Sequence, residues 1–339
     1  MEKTRLGRTE LMVTRCGFGA LPVQRADMDT AISILKKAYN SGINFFDTAR
    51  AYSDSEEKIG RALSSVRGNI IIASKTGAKD GKTLLEHFNT SIEKLNTDYI
   101  DIYQFHNPDK MPVPGGEDGL YDAALKLRES GKIKFISISA HKLDIAVSAV
   151  ESGLYDTLQY PINYLSTKDE LKLIDKCREH DVGLIAMKAL SGGLITNISA
   201  SFAFLYQYPE VVPIWGIQRE TELDQFIELY ENPPKLDDAM LLDIEKDIKE
   251  LSGEFCRGCG YCLPCAASIY IPMAARMSFL LRRAPYQGFL TDEWKKQMEL
   301  ITKCTECGQC KKRCPYELDT PKLLKTMYED YIEFYRTHS

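Results

Sequence analysis

The chain is 339 residues long, 44% apolar and 27% charged, which suits a globular protein of two domains or one large barrel with an addition. Its net charge of −5 leaves no basic footprint for nucleic acid, and no apolar run approaches the ~18 residues that span a bilayer. The opening MEKTRLGRTELMV lacks the apolar core of a signal peptide, so a cytoplasmic protein with no membrane or nucleic-acid partner is expected.

Short apolar, β-branched runs alternate with helical patterns along the first two-thirds of the chain. A strand near 13–18 precedes a helix near 29–40, and 43–47 (INFFD) precedes one near 54–64. The run 70–75 precedes a helix near 82–95, and 100–105 (IDIYQF) precedes a loop and a helix near 119–130. Residues 135–140 (FISISA) precede 142–151, and 157–160 precede 168–180. Residues 182–187 precede 199–207, and 211–217 (VVPIWGI) precede 221–231. The strands are near-continuously apolar, as in a parallel sheet buried on both faces. Eight such units fit a (β/α)8 barrel of about 250 residues. A doubly wound open sheet is the alternative, but its G-x-G-x-x-G turn is missing: Cys16-Gly17-Phe18-Gly19 runs into Ala-Leu-Pro-Val, which does not open a helix.

Asn232-Pro233-Pro234 reads as a linker, and 236–252 as an acidic amphipathic helix. The expected division is a barrel over 1–235 and a second module over 236–339. Eight of the ten cysteines fall between Cys256 and Cys314, which points to metal ligation rather than to a secreted disulfide framework. Cys16 and Cys177 lie outside this cluster and read as inert buried thiols. Between the two cysteine runs, 270–300 reads as helical, and 321–336 as a closing helix whose aromatics are core material.

In such barrels the C-terminal strand ends carry the chemistry. Asp47, Lys75 and His106 stand at three successive ends, with Tyr52 five residues after Asp47. A phenol, with an ordinary pKa near 10, is a weak acid. A neighbouring ammonium stabilises its phenolate, a carboxylate holds the ammonium, and an imidazole orients the oxygen that receives the proton. Singly, each residue has a plainer reading: helix cap, packing ring, half-solvated lysine, turn former. Together they predict proton delivery to a carbonyl oxygen.

GINFFDTARAYSDSEEKIGRAL, IIASKTG and DIYQFHN resemble the signature segments of the aldo/keto reductase family, and LGRTELMVTRCGFGA is similar to its N-terminus. The resemblance covers about 1–230. It implies a TIM barrel that binds NADP(H) or NAD(H) without a Rossmann fold, with Tyr52 as the acid, Lys75 and Asp47 tuning it, and His106 placing the carbonyl. It also implies that Ser139 and Gln159 hold the nicotinamide carboxamide, with Asn163 in the same motif. Gln218 or Arg219 stands where a basic residue holds a 2′-phosphate. The pattern departs from the family in three places. Ala140, followed by His141, replaces an Asn. Met187, beside Lys188, replaces a stacking aromatic. Gln225 and Phe226 fill the positions of the adenine contacts. These departures leave the choice among NADP(H), NAD(H) and a flavin open.

The cysteines form the runs Cys256-x2-Cys259-x2-Cys262-x2-Cys265 and Cys304-x2-Cys307-x2-Cys310-x3-Cys314-Pro315. The second is similar to the bacterial ferredoxin run, whose fourth cysteine ligates the other cluster in two-cluster proteins. Zinc is the competing reading, although structural zinc sites usually use two separated C-x2-C pairs. Two [4Fe–4S] clusters with crossed ligation would use Cys256, Cys259, Cys262 and Cys314 for one, and Cys304, Cys307, Cys310 and Cys265 for the other. The x2 gap before Cys265 departs from the ferredoxin spacing. The two halves together resemble the ferredoxin-domain branch of the aldo/keto reductases.

Three functions follow. The first is an oxidoreductase that reduces a small-molecule carbonyl, or oxidises an alcohol, with NAD(P)H, coupled to or supported by the clusters. The second is a cluster-linked electron-transfer enzyme that uses a ferredoxin-type carrier or a flavin. The third is a non-catalytic electron-carrier subunit.

Overall fold

The structure, a computed structural model, describes residues 1–251, 255–283 and 285–338. The chain divides into two compact units, Met1–Ala189 with Ser199–Asp237, and Leu190–Ile198 with Asp238–Ser339. The segment Leu190–Ile198 falls inside the span expected for the barrel, yet it belongs to the second unit. Gly192 and Gly193, both at positive φ, turn the chain there. Among the described residues, no helix is long and apolar enough to cross a membrane.

The first unit opens with an antiparallel hairpin, β1 (Lys3–Arg5) and β2 (Met12–Thr14). The strand expected over 13–18 is therefore two strands. The second, β3 (Gly17–Gly19), begins the barrel. The others are β4 (Phe45–Asp47), β5 (Ile71–Thr76), β6 (Ile100–His106), β7 (Ile133–Ser139), β8 (Thr157–Pro161), β9 (Gly183–Met187) and β10 (Val211–Gly216). All eight pair in parallel, and β10 closes on β3. A helix follows each strand, from Met28–Asn40 to Glu220–Glu231.

The strands alternate their side chains between the barrel interior and the helix layer. At one level the interior is apolar: Phe45, Ala73, Ile102, Ile185, Val212 and Ile214 form one buried cluster. Leu6 and Val13 of the hairpin join it, so the hairpin plugs this end of the barrel. Gly7 makes the close approach; it has φ +52, and a Cβ there would lie 2.2 Å from the backbone nitrogen of Gly183. Phe45, Ala73 and Ile102 each lie two residues before Asp47, Lys75 and Gln104. The next layer toward the C-terminal strand ends is therefore polar.

The second unit is helical and irregular. The acidic stretch forms a helix over Asp238–Glu250; position 252 lies outside the described residues. The 270–300 stretch is a series of short pieces rather than one helix: Ile271–Ala274, Met277–Arg283, Tyr286–Phe289 and Asp292–Glu299, with position 284 outside the described residues. Pro285 and Gly288 interrupt it. The last helix, Thr320–His338, contributes Leu324 and Tyr331 to a core shared with Ile269, Ile271, Met277, Met298 and Cys310.

Candidate active site and candidate cluster site

The C-terminal strand ends bring the sequence-predicted residues side by side. Lys75 is in register with Gln104, His106 with Ser139, and Ser139 with Gln159. Lys75 Nζ donates to both carboxylate oxygens of Asp47, at 2.7 Å each, and to the carbonyl of Thr48 at 2.7 Å. All three ammonium protons are thus engaged. Both side chains are almost fully buried. Burial pushes the Asp47 carboxyl above its ordinary range and the Lys75 ammonium below its own, and their mutual attraction opposes both shifts.

Tyr52 lies in the turn after β4. The turn is fixed by the Tyr52 amide donating to Ala49 and the Ser55 amide donating to Tyr52. Its ring centre is 5.2 Å from Lys75 Nζ and meets the His106 ring edge-on at 5.8 Å. The structure therefore brings together all four residues of the predicted quartet. Burial, with Lys75 adding to it, pushes the His106 imidazole down to about 3.

Two participants escape a reading of strand ends alone. Gln104 Nε2 donates to Gln159 Oε1 at 2.9 Å and reaches Asp47 Oδ2 at 3.3 Å, so it joins the carboxylate to the next strands. It is one polar residue in an apolar run, two before His106, and the two-residue period of a strand puts both on one face. Glu56 is buried, accepts from Ser74 Oγ at 2.6 Å, pairs with Arg50, and acts on Lys75 as a second negative charge.

Among the residues matched to nicotinamide contacts, Ser139 and Gln159 sit buried beside the quartet. Ser139 Oγ faces the Phe105 carbonyl at 3.4 Å and accepts from the Asn107 amide at 3.1 Å. Asn163 donates to the Lys188 carbonyl at 2.9 Å and accepts from the Leu165 amide, bracing Lys188 at φ +60. Gln218 and Arg219 lie in the β10 loop. There the Glu222 carboxylate takes both of their amides, and Gln218 Oε1 accepts from Arg25 at 3.4 Å. Phe226 does not line a ligand surface; it is core, stacked 4.6 Å from Trp215. Gln225 is exposed, whereas Ala140 and His141 are buried. One hydroxyl and two side-chain amides near His106 fit a carboxamide in kind.

The eight clustered cysteines border two cavities in the second unit. One, of about 250 Å³, is lined by Cys262, Cys265, Cys304, Cys307 and Cys310. The other, narrower at about 20 Å³, is lined by Cys256, Cys259, Cys262 and Cys314. Among the described residues, no three Cys, His, Asp or Glu side chains converge closely enough for a single metal ion. Thiols ranged around a cavity suit a polynuclear cluster better than one zinc ion. Gly258 and Gly308, at φ +64 and +69, turn the loops, and the Gly258 amide donates to Cys256 Sγ at 3.4 Å. Cys307 is exposed, and the Gln309 amide holds its thiol below the ordinary range. Cys16 and Cys177 are buried in the first unit, and burial pushes both thiols up, Cys177 to about 12.

A closed parallel barrel with an ionisable quartet at its C-terminal strand ends, joined to a module of eight clustered cysteines, defines an iron–sulfur oxidoreductase. The chain belongs to the aldo/keto reductase family: residues 15–203 match the model of that family, and 255–319 match the model of a 4Fe-4S dicluster domain. It is similar to L-galactose dehydrogenase of Arabidopsis thaliana, with 30% identity over 58% of this chain and 68% of that protein. It is 26% identical to the NADH-specific methylglyoxal reductase of Escherichia coli, over 58% of this chain and 70% of the relative. The aldo-keto reductase AKR11C1 of Bacillus halodurans shares the fold with a TM-score of 0.64, at 20% identity, over 73% of this chain and 96% of that one.

Proposed function

We propose that the first unit is an NAD(P)H-dependent carbonyl reductase, working in reverse as an alcohol dehydrogenase, and that the second carries two [4Fe–4S] clusters. The convergence of Tyr52, Lys75, Asp47 and His106 at the barrel mouth carries this reading. Nicotinamide, when bound, supplies a hydride to the carbonyl carbon. Tyr52 gives its phenolic proton to the carbonyl oxygen, so that hydride and proton together convert C=O to CH–OH. The Lys75 charge beside the ring stabilises the phenolate that remains. Asp47 keeps Lys75 in place. His106, neutral, orients the substrate oxygen by donating a hydrogen bond. Ser139, Gln159 and Asn163 would hold the carboxamide. Lys188, Gln218 and Arg219 serve the rest of the dinucleotide. The relative named for NADH-specific methylglyoxal reduction supports a nicotinamide and a small carbonyl substrate.

In the cysteine module, Cys314 lines the cavity of the first run and Cys265 that of the second, with Cys262 bordering both, and this supports crossed ligation. Cys256, Cys259, Cys262 and Cys314 would hold one cluster, and Cys304, Cys307, Cys310 and Cys265 the other. A second reading, electron exchange between the clusters and a ferredoxin-type carrier or flavin, is favoured by the altered adenine position. Phe226 is core there, and Glu222 already occupies the amides of Gln218 and Arg219. The two readings separate under anaerobic conditions. Carbonyl-dependent NADH or NADPH oxidation without cluster bleaching supports the reductase. Bleaching by a reduced ferredoxin or flavin, with no nicotinamide oxidation, supports the electron-transfer enzyme.

A further inference from the structure

The polar layer of the barrel holds two buried primary amides, Gln104 and Gln159, neither more than 1% exposed. Gln104 stands in register with Lys75 on one side and Ser137 on the other. Its Nε2 donates to Gln159 Oε1 at 2.9 Å and reaches Asp47 Oδ2 at 3.3 Å, so both of its N–H groups are spent. Its Oε1 faces the Ser137 hydroxyl at 3.4 Å. Gln159 Nε2 in turn reaches Asp47 Oδ1 at 3.5 Å. Only one orientation of each amide suits these neighbours. A carboxylate paired with an ammonium accepts and does not donate, so a flipped Gln104 would set its carbonyl oxygen against both Asp47 and Gln159 Oε1. A flipped Gln159 would set its NH2 against that of Gln104. Asp47, clamped by Lys75, therefore dictates Gln104, and Gln104 dictates Gln159. Gln159 keeps one N–H and one lone pair that no group among the described residues takes.

We propose that Gln104 is a positioning residue for the nicotinamide ring, acting through Gln159 by locking the order in which its amide offers a donor and an acceptor. A carboxamide carries one donor group and one acceptor, and two amides pair only when these meet in complementary order. A Gln159 free to flip or to change rotamer would have to be ordered each time the ring binds, and that ordering is a direct loss of affinity. Gln104 removes the loss in advance. It does so from the carboxylate that also holds Lys75, so ring recognition and the proton-donating end of the site share one hydrogen-bonded frame. Gln104 itself touches neither proton donor nor substrate in this arrangement.

This inference rests on the nicotinamide reading of the barrel, which binding of NADH or NADPH by the wild-type holoprotein tests separately. The test is a set of dissociation constants for the anaerobically purified full chain, without turnover. The probes are the tighter of NADH and NADPH, and ADP-ribose or its 2′-phosphate, which lacks the nicotinamide. Gln104→Met keeps the length of the side chain and removes both donors. It should weaken the dinucleotide about three- to tenfold, the usual worth of ordering one side chain, and leave the ring-less probe within about twofold. Gln159→Met should also weaken the dinucleotide, and adding Gln104→Met to it should cost nothing further, because the residue through which Gln104 acts is gone. Should Gln104→Met fail to fold, Gln104→Leu takes its place with the same expectations. Unchanged dinucleotide binding in the variant overturns the proposal. So do equal losses for both probes, losses that add in the double variant, or failure of both Gln104 variants to fold. A wild type that binds neither NADH nor NADPH removes the nicotinamide reading itself, and the proposal with it.

Discussion

His106 is held neutral by burial and by the Lys75 charge beside it, with a pKa pushed down to about 3. The shift is downward from an ordinary value near 6.5, so protonation occurs only well below pH 5. From pH 5 to 8 the imidazole does not change charge. The acid side of a kcat/KM profile for carbonyl reduction is therefore expected to be flat over that range. An acid limb near pH 6.5 that disappears in His106→Gln would contradict the assignment. The buried Asp47–Lys75 pair makes a stability prediction. Lys75→Met strands a carboxylate in the barrel, which costs about 3–5 kcal/mol when one partner of a buried pair is removed. Urea unfolding of the holoprotein should show that loss, and a change under about 1 kcal/mol would argue against a buried ion pair. Asp47, Lys75 and His106 were legible in the sequence because a polar residue ending an apolar strand run stands out. Gln104 was not, because it interrupts such a run without ending it, and only the two-residue period puts it on the face of His106. Phe226 stands out in the sequence as a departure from the adenine contacts, but only the fold shows that it stacks on Trp215 in the core.

At the scale of elements, the alternation of apolar runs and helical patterns carries the barrel, because each parallel strand is covered on both faces and each helix on one. What the pattern hides is where a run changes partner. Residues 13–18 look like one strand, but Thr14 and Asn44 bind each other: the Thr14 amide donates to Asn44 Oδ1 at 2.7 Å, and the chain bends before Gly17. In the same way, Leu190–Ile198 reads as a barrel loop although it packs in the second unit. Helix–helix contact around the barrel is set by small residues, Gly60 among them. The helix Ser55–Leu63 approaches Gly81–Leu95 so closely that a Cβ at Gly60 would lie 2.3 Å from the Lys94 carbonyl oxygen. Glycine inside an exposed helix is ordinarily improved by alanine, by roughly 0.5–1 kcal/mol. Here Gly60→Ala is expected to destabilise by about 1–3 kcal/mol through overpacking, measured as a lower unfolding midpoint. A raised midpoint would refute the close approach.

For the whole molecule, the uneven distribution of cysteines along the chain is enough to separate two modules. Which thiols share a cavity is a three-dimensional fact, since Cys314 meets the first run only after some 50 residues of helical chain have turned back. Cys307→Ser is expected to remove the iron of one cluster, about half the total, while carbonyl reduction at the barrel persists. Zinc in place of iron in the wild-type protein would contradict the module's assignment. Hydride transfer moves two electrons and each cluster moves one, so the barrel chemistry has to stand on the quartet. The most direct measurement is therefore carbonyl-dependent NAD(P)H oxidation by anaerobically purified wild type and Tyr52→Phe at matched iron content. The proposed mechanism predicts a fall in kcat of about 10²–10⁴-fold, the usual worth of a general acid, with iron and sulfide unchanged. Turnover retained within a few-fold of wild type would contradict it.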